Sequence, residues 1–217
     1  MTLLDFARGP ALQWALIIML AGIVWRLVGT LFLARSRVLS KPRSDAYLAA
    51  GVRTVLKRSW LHGELSKAGM FQQVTGYILH IGLFVVILLF VPHIEFFKGI
   101  LGFGWPGLPN DIVTVSAALT IAVLVALFVR RLTNPVLKSI SNADDYISWF
   151  VTTAPLVTGL MAFAHLGPRY ETMLAIHLLS VALLMIWIPF GKLMHMLLFI
   201  PSRAQLGVKF ERRGVKA

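Results

Sequence analysis

Five long stretches of almost uninterrupted apolar sequence decide what this chain can become. They run over residues 11–33, 74–96, 112–129, 146–164 and 172–200. Each reaches the ~17–25 residues an α-helix needs to cross a bilayer. Backbone polar groups in hydrocarbon must be satisfied inside the segment, so runs of this kind read as helices. The third, IVTVSAALTIAVLVALFV, holds no charge and is closed by Arg130 and Arg131; the first is interrupted by Arg26, close enough to its end to snorkel. With 58% apolar and 14% charged residues, a soluble nucleotide-binding or hydrolase fold is excluded. The expected architecture is an all-α integral membrane protein, one domain over residues 1–217, with five transmembrane helices, a 34–73 loop and a 201–217 tail.

The formal charge of +12 does not imply nucleic acid, because Lys and Arg lie between and after the apolar runs and form no basic domain. They set topology instead. The 34–73 loop, the third-to-fourth loop and the carboxyl end carry 17 Lys and Arg against 3 on the other side (Arg8, Lys98, Arg169). The positive-inside rule then places the amino terminus outside (periplasmic) and the carboxyl terminus in the cytoplasm of a bacterial or archaeal inner membrane. Asp5 and Arg8 stand where a signal peptide would have a basic lead, so the first run is expected to be a retained helix. The 34–73 loop contains AYLAAGV and SWLHGEL, too apolar for a bare linker, and is expected to fold onto the membrane surface or against a partner.

With no cysteine, the chain excludes disulfides, thiolate-bound zinc, Fe–S clusters of its own and covalently attached haem. Its chemistry rests on histidine. Of six (His62, His80, His93, His165, His177, His195), four fall in the second and fifth runs and His165 closes the fourth. Ionisable side chains at membrane depth are costly, and their concentration on two helices needs a reason beyond the ordinary interfacial role. His177 and His195 stand 18 residues apart, five whole turns and about 27 Å on one face of an unbroken helix. Antiparallel pairing of the two runs sets His80 opposite His195 and His93 opposite His177, the layout of two bis-histidine haems of b type. The 13-residue interval from His80 to His93 turns through about 220°, so the two share a face only if Pro92 bends or ends the helix. His165 is the competing partner for His177. Gly76 and Gly82 near His80, and Ser180 and Ala182 after His177, offer room for a macrocycle or for ordinary helix packing. Lys192 is a candidate for haem propionates at the cytoplasmic rim, with Arg130 and Arg131 serving topology at least equally well.

The end of the fifth run, IHLLSVALLMIWIPFGKLMH, resembles the last helix of the gamma subunit of membrane-bound respiratory nitrate reductase and its relatives. In that family two haem-ligating histidines also stand 18 apart, and the second closes a Pro-Phe-small-basic-Leu-x-His motif, here Pro189 to His195. LHIG at Leu79 to Gly82, and RRLTNP at Arg130 to Pro135 followed by Ala143 and Asp144, extend the likeness over roughly residues 76–201. The resemblance implies a cytochrome b anchor passing electrons between membrane quinone and cytoplasmic Fe–S or catalytic subunits of a hetero-oligomeric oxidoreductase complex, through two haems. It implies His80 and His195 as ligands of the cytoplasm-side haem and His177 as one ligand of the outer haem. It departs at the fourth ligand. The nitrate reductase subunit has a histidine ten residues after the first, where this chain has Phe90, leaving His93 or His165 as the candidate for the fourth ligand. That points to a relative serving another Fe–S partner, with a non-redox structural anchor holding one haem or none as the alternative. For quinone or quinol, the outer polar residues Lys98, Glu95, Arg169 and Tyr170 are the candidates, beside His93 and His177.

Overall fold

The computed structural model describes residues 1–33, 41–59 and 67–215. Among these the chain is helical throughout and contains no strand. Five helices are long and apolar enough to cross a membrane. The first path starts earlier than the apolar run at residue 11. Thr2 and Asp5 form a capping box, Thr2 N–H donating to Asp5 at 2.8 Å, and α1 (Leu3–Phe6) runs through a widened turn at Ala7–Ala11 into α2 (Leu12–Leu31). Pro10 lies in that turn, where its missing N–H suits the locally expanded ladder.

Helix α3 (Tyr47–Arg58) contains most of AYLAAGV and packs on the chain's own last helix, α10 (His195–Arg212), through Ala50, Gly51 and Thr54. The apolar content of the 34–73 loop is thus partly used inside the chain; SWLHGEL after Ser59, and His62 within it, lie outside the described residues.

The second path ends earlier than residue 96. Helix α4 (Lys67–Leu89) stops at Phe90, which is extended (φ −81°, ψ 123°), and α5 (Val91–Leu101) starts afresh. Pro92 supplies no N–H to continue the ladder, and α5 closes on Gly102 in the left-handed conformation that glycine tolerates best. The carbonyls released by the break are taken up: Leu88 O accepts from Trp105 Nε1 at 2.6 Å and Leu89 O from Leu108 N at 2.9 Å. The GFGWPGLPN loop therefore folds back to cap α4.

Helix α6 (Asn110–Thr133) leads through the short Asn134-capped α7 (Pro135–Ile140) to α8 (Ala143–Phe163), whose start is a capping box of Asn142 and Asp145. The fifth run is two helices and not one. Helix α9 (Tyr170–Trp187) ends at a turn over residues 188–191, followed by a single 3-10 turn, Lys192–Met194, and α10. Pro189 again lacks the donor an uninterrupted helix needs, and its side chain is buried.

The long helices pack in a row, α2 on α9, α9 on α8, α8 on α6 and α6 on α4; α4 and α9 are not closely packed on each other. At the α4–α6 contact, a Cβ on Gly82 would collide with Thr120, so that glycine serves close helix approach. The outer faces carry Trp14, Val24, Trp25, Ile81 and Phe84, all exposed. Such a surface is wrong for water and right for lipid.

Candidate haem site

The structure brings four histidines together in two pairs, between the α4–α5 and α9–α10 segments. His80 on α4 faces His195, with ring centroids 6.1 Å apart and planes crossed at 81°. His93 on α5 faces His177 on α9, with centroids 6.2 Å apart and planes within 12° of parallel. These are the pairings expected from antiparallel helices, but two breaks in the backbone produce them. His195 is the first residue of α10, so the shared face of an unbroken helix does not place it; the turn after Trp187 does. His93 lies beyond the Phe90 break and its ring folds back, Nδ1 lying 2.8 Å from the carbonyl of Val86, seven residues earlier. Phe90 packs edge-on against the His93 ring at 5.2 Å and against Phe163 at 5.5 Å. The 220° mismatch is removed by restarting the helix.

All four rings are held by the same nitrogen. His80 Nδ1 donates to Gly76 O at 2.7 Å, His93 Nδ1 to Val86 O at 2.8 Å, and His195 Nδ1 to Lys192 O at 2.8 Å. His177 Nδ1 lies 3.3 Å from Thr158 Oγ1, whose own proton goes to Ala154 O at 2.7 Å. A carbonyl can only accept, so Nδ1 of His80, His93 and His195 carries a hydrogen, while the Thr158 hydroxyl, bonded to Ala154 O, faces Nδ1 of His177. In its neutral form a ring with Nδ1–H presents its lone pair at Nε2, the form in which imidazole binds a metal.

Ring spacing supplies the fit test. Metal–imidazole bonds are about 2.0–2.1 Å and the ring centre lies ~1.1 Å beyond the nitrogen, so two imidazoles on opposite sides of one metal have centroids ~6.3 Å apart. The observed 6.1 and 6.2 Å agree with that. Among the described residues no group of three or more His, Cys, Asp or Glu comes together. An ion caged by protein donors alone takes about four of them, whereas iron in a macrocycle asks only two of the protein, as these pairs offer.

Similarity to a known protein runs over most of the chain. A protein of Nitratidesulfovibrio vulgaris (strain Hildenborough), named simply "Protein", is 32% identical over 212 residues, 94% of this chain and 92% of its own. The two chains belong to one family. The likeness runs through all five spans and states no activity. No family model and no solved structure matches the chain.

The remaining candidates fall elsewhere. His165 is not a partner of His177: it sits in the α8–α9 turn in the left-handed region (φ 54°), exposed, and stacks on Tyr170 at 5.3 Å. Lys98 pairs with Glu95 at 3.5 Å, and Arg169 immediately precedes α9 without a side-chain cap; among the described residues no hydrogen bond, ion pair or ring contact joins Lys98 or Glu95 to Arg169 or Tyr170. Lys192 directs its ammonium to Asp145 at 2.6 Å, while its carbonyl holds His195. Arg130 reaches Gln72 and the Phe71 ring, and Arg131 reaches Ser141 and Asp145. Ala182 packs with Leu12 and Ala15 between α9 and α2, so it serves helix packing, while Ser180 donates to His177 O at 2.7 Å and lies 3.1 Å from Thr158. Gly76 has open space where a side chain would stand.

Four supporting residues escaped the sequence. Thr158 and Gly159 on α8 lie against His177, and a Cβ on Gly159 would come 2.9 Å from His177 Cε1. Asp144 and Asp145 reach Lys192, in the turn before His195, across 48 and 47 residues. The available signal was the spacing of Thr158 and Gly159 three to four turns along α8 from those acids, which only the packing of α8 on α9 makes meaningful.

Proposed function

We propose that this chain is a membrane cytochrome b: a haem b anchor subunit that carries electrons between membrane quinone or quinol and a cytoplasmic Fe–S oxidoreductase subunit of a hetero-oligomeric complex. One observation carries the reading, the two histidine pairs with ring centroids 6.1 and 6.2 Å apart, each Nδ1 lying at an oxygen partner. Haem b would supply the one-electron couple that a chain without cysteine lacks. His80 and His195 hold one group and His93 and His177 the other. Their Nδ1–H bonds fix ring orientation and raise ligand basicity. Phe90 packs edge-on against the His93 ring and is itself backed by Phe163. The distribution of Lys and Arg supports the His80–His195 pair on the cytoplasmic side, nearest a partner on α3, α10 and the tail, with Lys98 and Glu95 outside as the quinone contacts.

The test is the haem content of the purified subunit, with its reduced-minus-oxidised spectrum. The expected result is two low-spin b haems, one lost in His80→Ala or His195→Ala, the other in His93→Ala or His177→Ala, and neither in His165→Ala. Folded wild-type protein from haem-replete cells with no haem absorbance refutes the reading.

A further inference from the structure

The turn that carries His195 is held by α8, a helix that supplies no ligand, and we propose that Asp144 and Asp145 at its amino end are positioning residues for the haem of the His80–His195 pair. The inference rests on the reading of that pair as a haem site. Asp144 Oδ1 accepts from the backbone N–H of Lys192 at 3.1 Å and from the Ser148 hydroxyl at 2.8 Å. Ser148 Oγ in turn accepts from Trp187 Nε1 at 3.0 Å. Trp187 is the last residue of α9 and Lys192 the first of the 3-10 turn, so both sides of the break are tied to one carboxylate.

From there the connection to the ligand is a single residue. Lys192 gives its N–H to Asp144 and its carbonyl to His195 Nδ1, at 2.8 Å. Its ammonium goes to Asp145 Oδ2 at 2.6 Å, and Asp145 Oδ1 receives Arg131 at 3.2 Å from the end of α6. The Asp145 side chain is only 10% exposed and lies between two cations whose own side chains are 34% and 48% exposed. Gly191 makes the approach possible, since a Cβ there would stand 2.9 Å from Asp144 Oδ1 and press on Trp187 Nε1. The small residue and the basic residue of the Pro189–His195 sequence thus have one explanation: both exist to let two carboxylates of α8 grip the turn.

The test uses the full chain, purified from haem-replete cells. In Asp144→Ala, retention of the His80–His195 haem against a haem acceptor is expected to fall roughly ten- to a hundred-fold, the range for losing a ligand's outer support. The His93–His177 haem remains as the internal reference. Asp144→Asn keeps an acceptor oxygen and is expected to restore retention and midpoint potential most of the way; Lys192→Met, which breaks only the Asp145 arm, is expected to shift the potential of the same haem alone. Amide exchange over residues 188–195, measured also in a His80→Ala background, is expected to speed up in Asp144→Ala whether or not that haem is bound. Unchanged exchange, or unchanged retention and potential in Asp144→Ala, overturns the proposal. A haemless wild type overturns it together with the reading beneath it, and is recognised as such because the wild type itself fails.

Discussion

Gly159→Ala separates the chemistry of the His93–His177 pair from the stability of the helix behind it. Gly159 lies inside α8 with ordinary helical geometry, where alanine is favoured by about 0.5–1 kcal/mol. Local helix energetics therefore predict a slightly more stable protein. The same methyl would stand 2.9 Å from His177 Cε1 and 3.1 Å from Nδ1, against the 3.4 Å at which ordinary contact begins. The shortfall of about 0.5 Å must be met by the imidazole, because the alanine Cβ is fixed to the backbone. Metal–ligand distances tolerate about ±0.2 Å, so the ring leaves the range in which Nε2 can bind. The expected outcome is loss of one low-spin haem while the His80–His195 haem stays. The assays are haem stoichiometry, the reduced-minus-oxidised spectrum and a thermal melt on the same preparation. A Gly159→Ala protein with both haems and an unchanged spectrum would refute the placement of His177 against α8; one with both haems lost and a lowered melting temperature would show that the substitution acts through folding.

Two further outcomes follow from single hydrogen bonds. Thr158→Val keeps shape but removes the acceptor behind His177 Nδ1; a net hydrogen bond of 0.5–1.5 kcal/mol, lost from the oxidised state of a one-electron couple, raises the midpoint potential of that haem by roughly 20–60 mV, read by redox titration, with Thr158→Ser near wild type. Trp105→Phe leaves Leu88 O without its donor at the α4 break, and is expected to cost about 1–2 kcal/mol, seen as a lowered melting temperature in detergent, with no change if water replaces the indole N–H.

The parts of the fold that sum over many residues were legible in the sequence, and those that turn on one backbone bond were not. Five spans follow from runs of eighteen or more apolar residues, and the pairing of His80 with His195 and of His93 with His177 follows from antiparallel order. Hydropathy, being a window property, is blind to a break. It carried the second run through Phe90 to residue 96 and the fifth through Gly191 to residue 200. Pro92 and Pro189 are both missing donors in the sequence, but the 18-residue interval from His177 to His195 fits five turns of an unbroken helix and so hides the break at Pro189. The start at Leu3 was written in Thr2 and Asp5 as a capping box, masked by a start placed at the first long apolar stretch. Asp144 and Asp145 read as span-end charges, since nothing in a single sequence links them to Lys192. His165 was a reasonable rival until its backbone and its stack on Tyr170 turned it away.

Helices α4 and α9 are not closely packed on each other, yet the four histidines face each other between α4–α5 and α9–α10. On the cytochrome reading this ties the protein's lifetime to its cofactor supply. A group that binds the folded chain and not the unfolded one adds RT ln(1 + [L]/Kd) to stability, roughly 4 kcal/mol at a thousand-fold excess over Kd. That increment would join α4 and α9, which are not closely packed on each other. Cells short of haem would then clear the subunit by proteolysis at α4 and α9 before any partner is recruited, and the abundance of the whole complex would follow haem synthesis without a dedicated sensor.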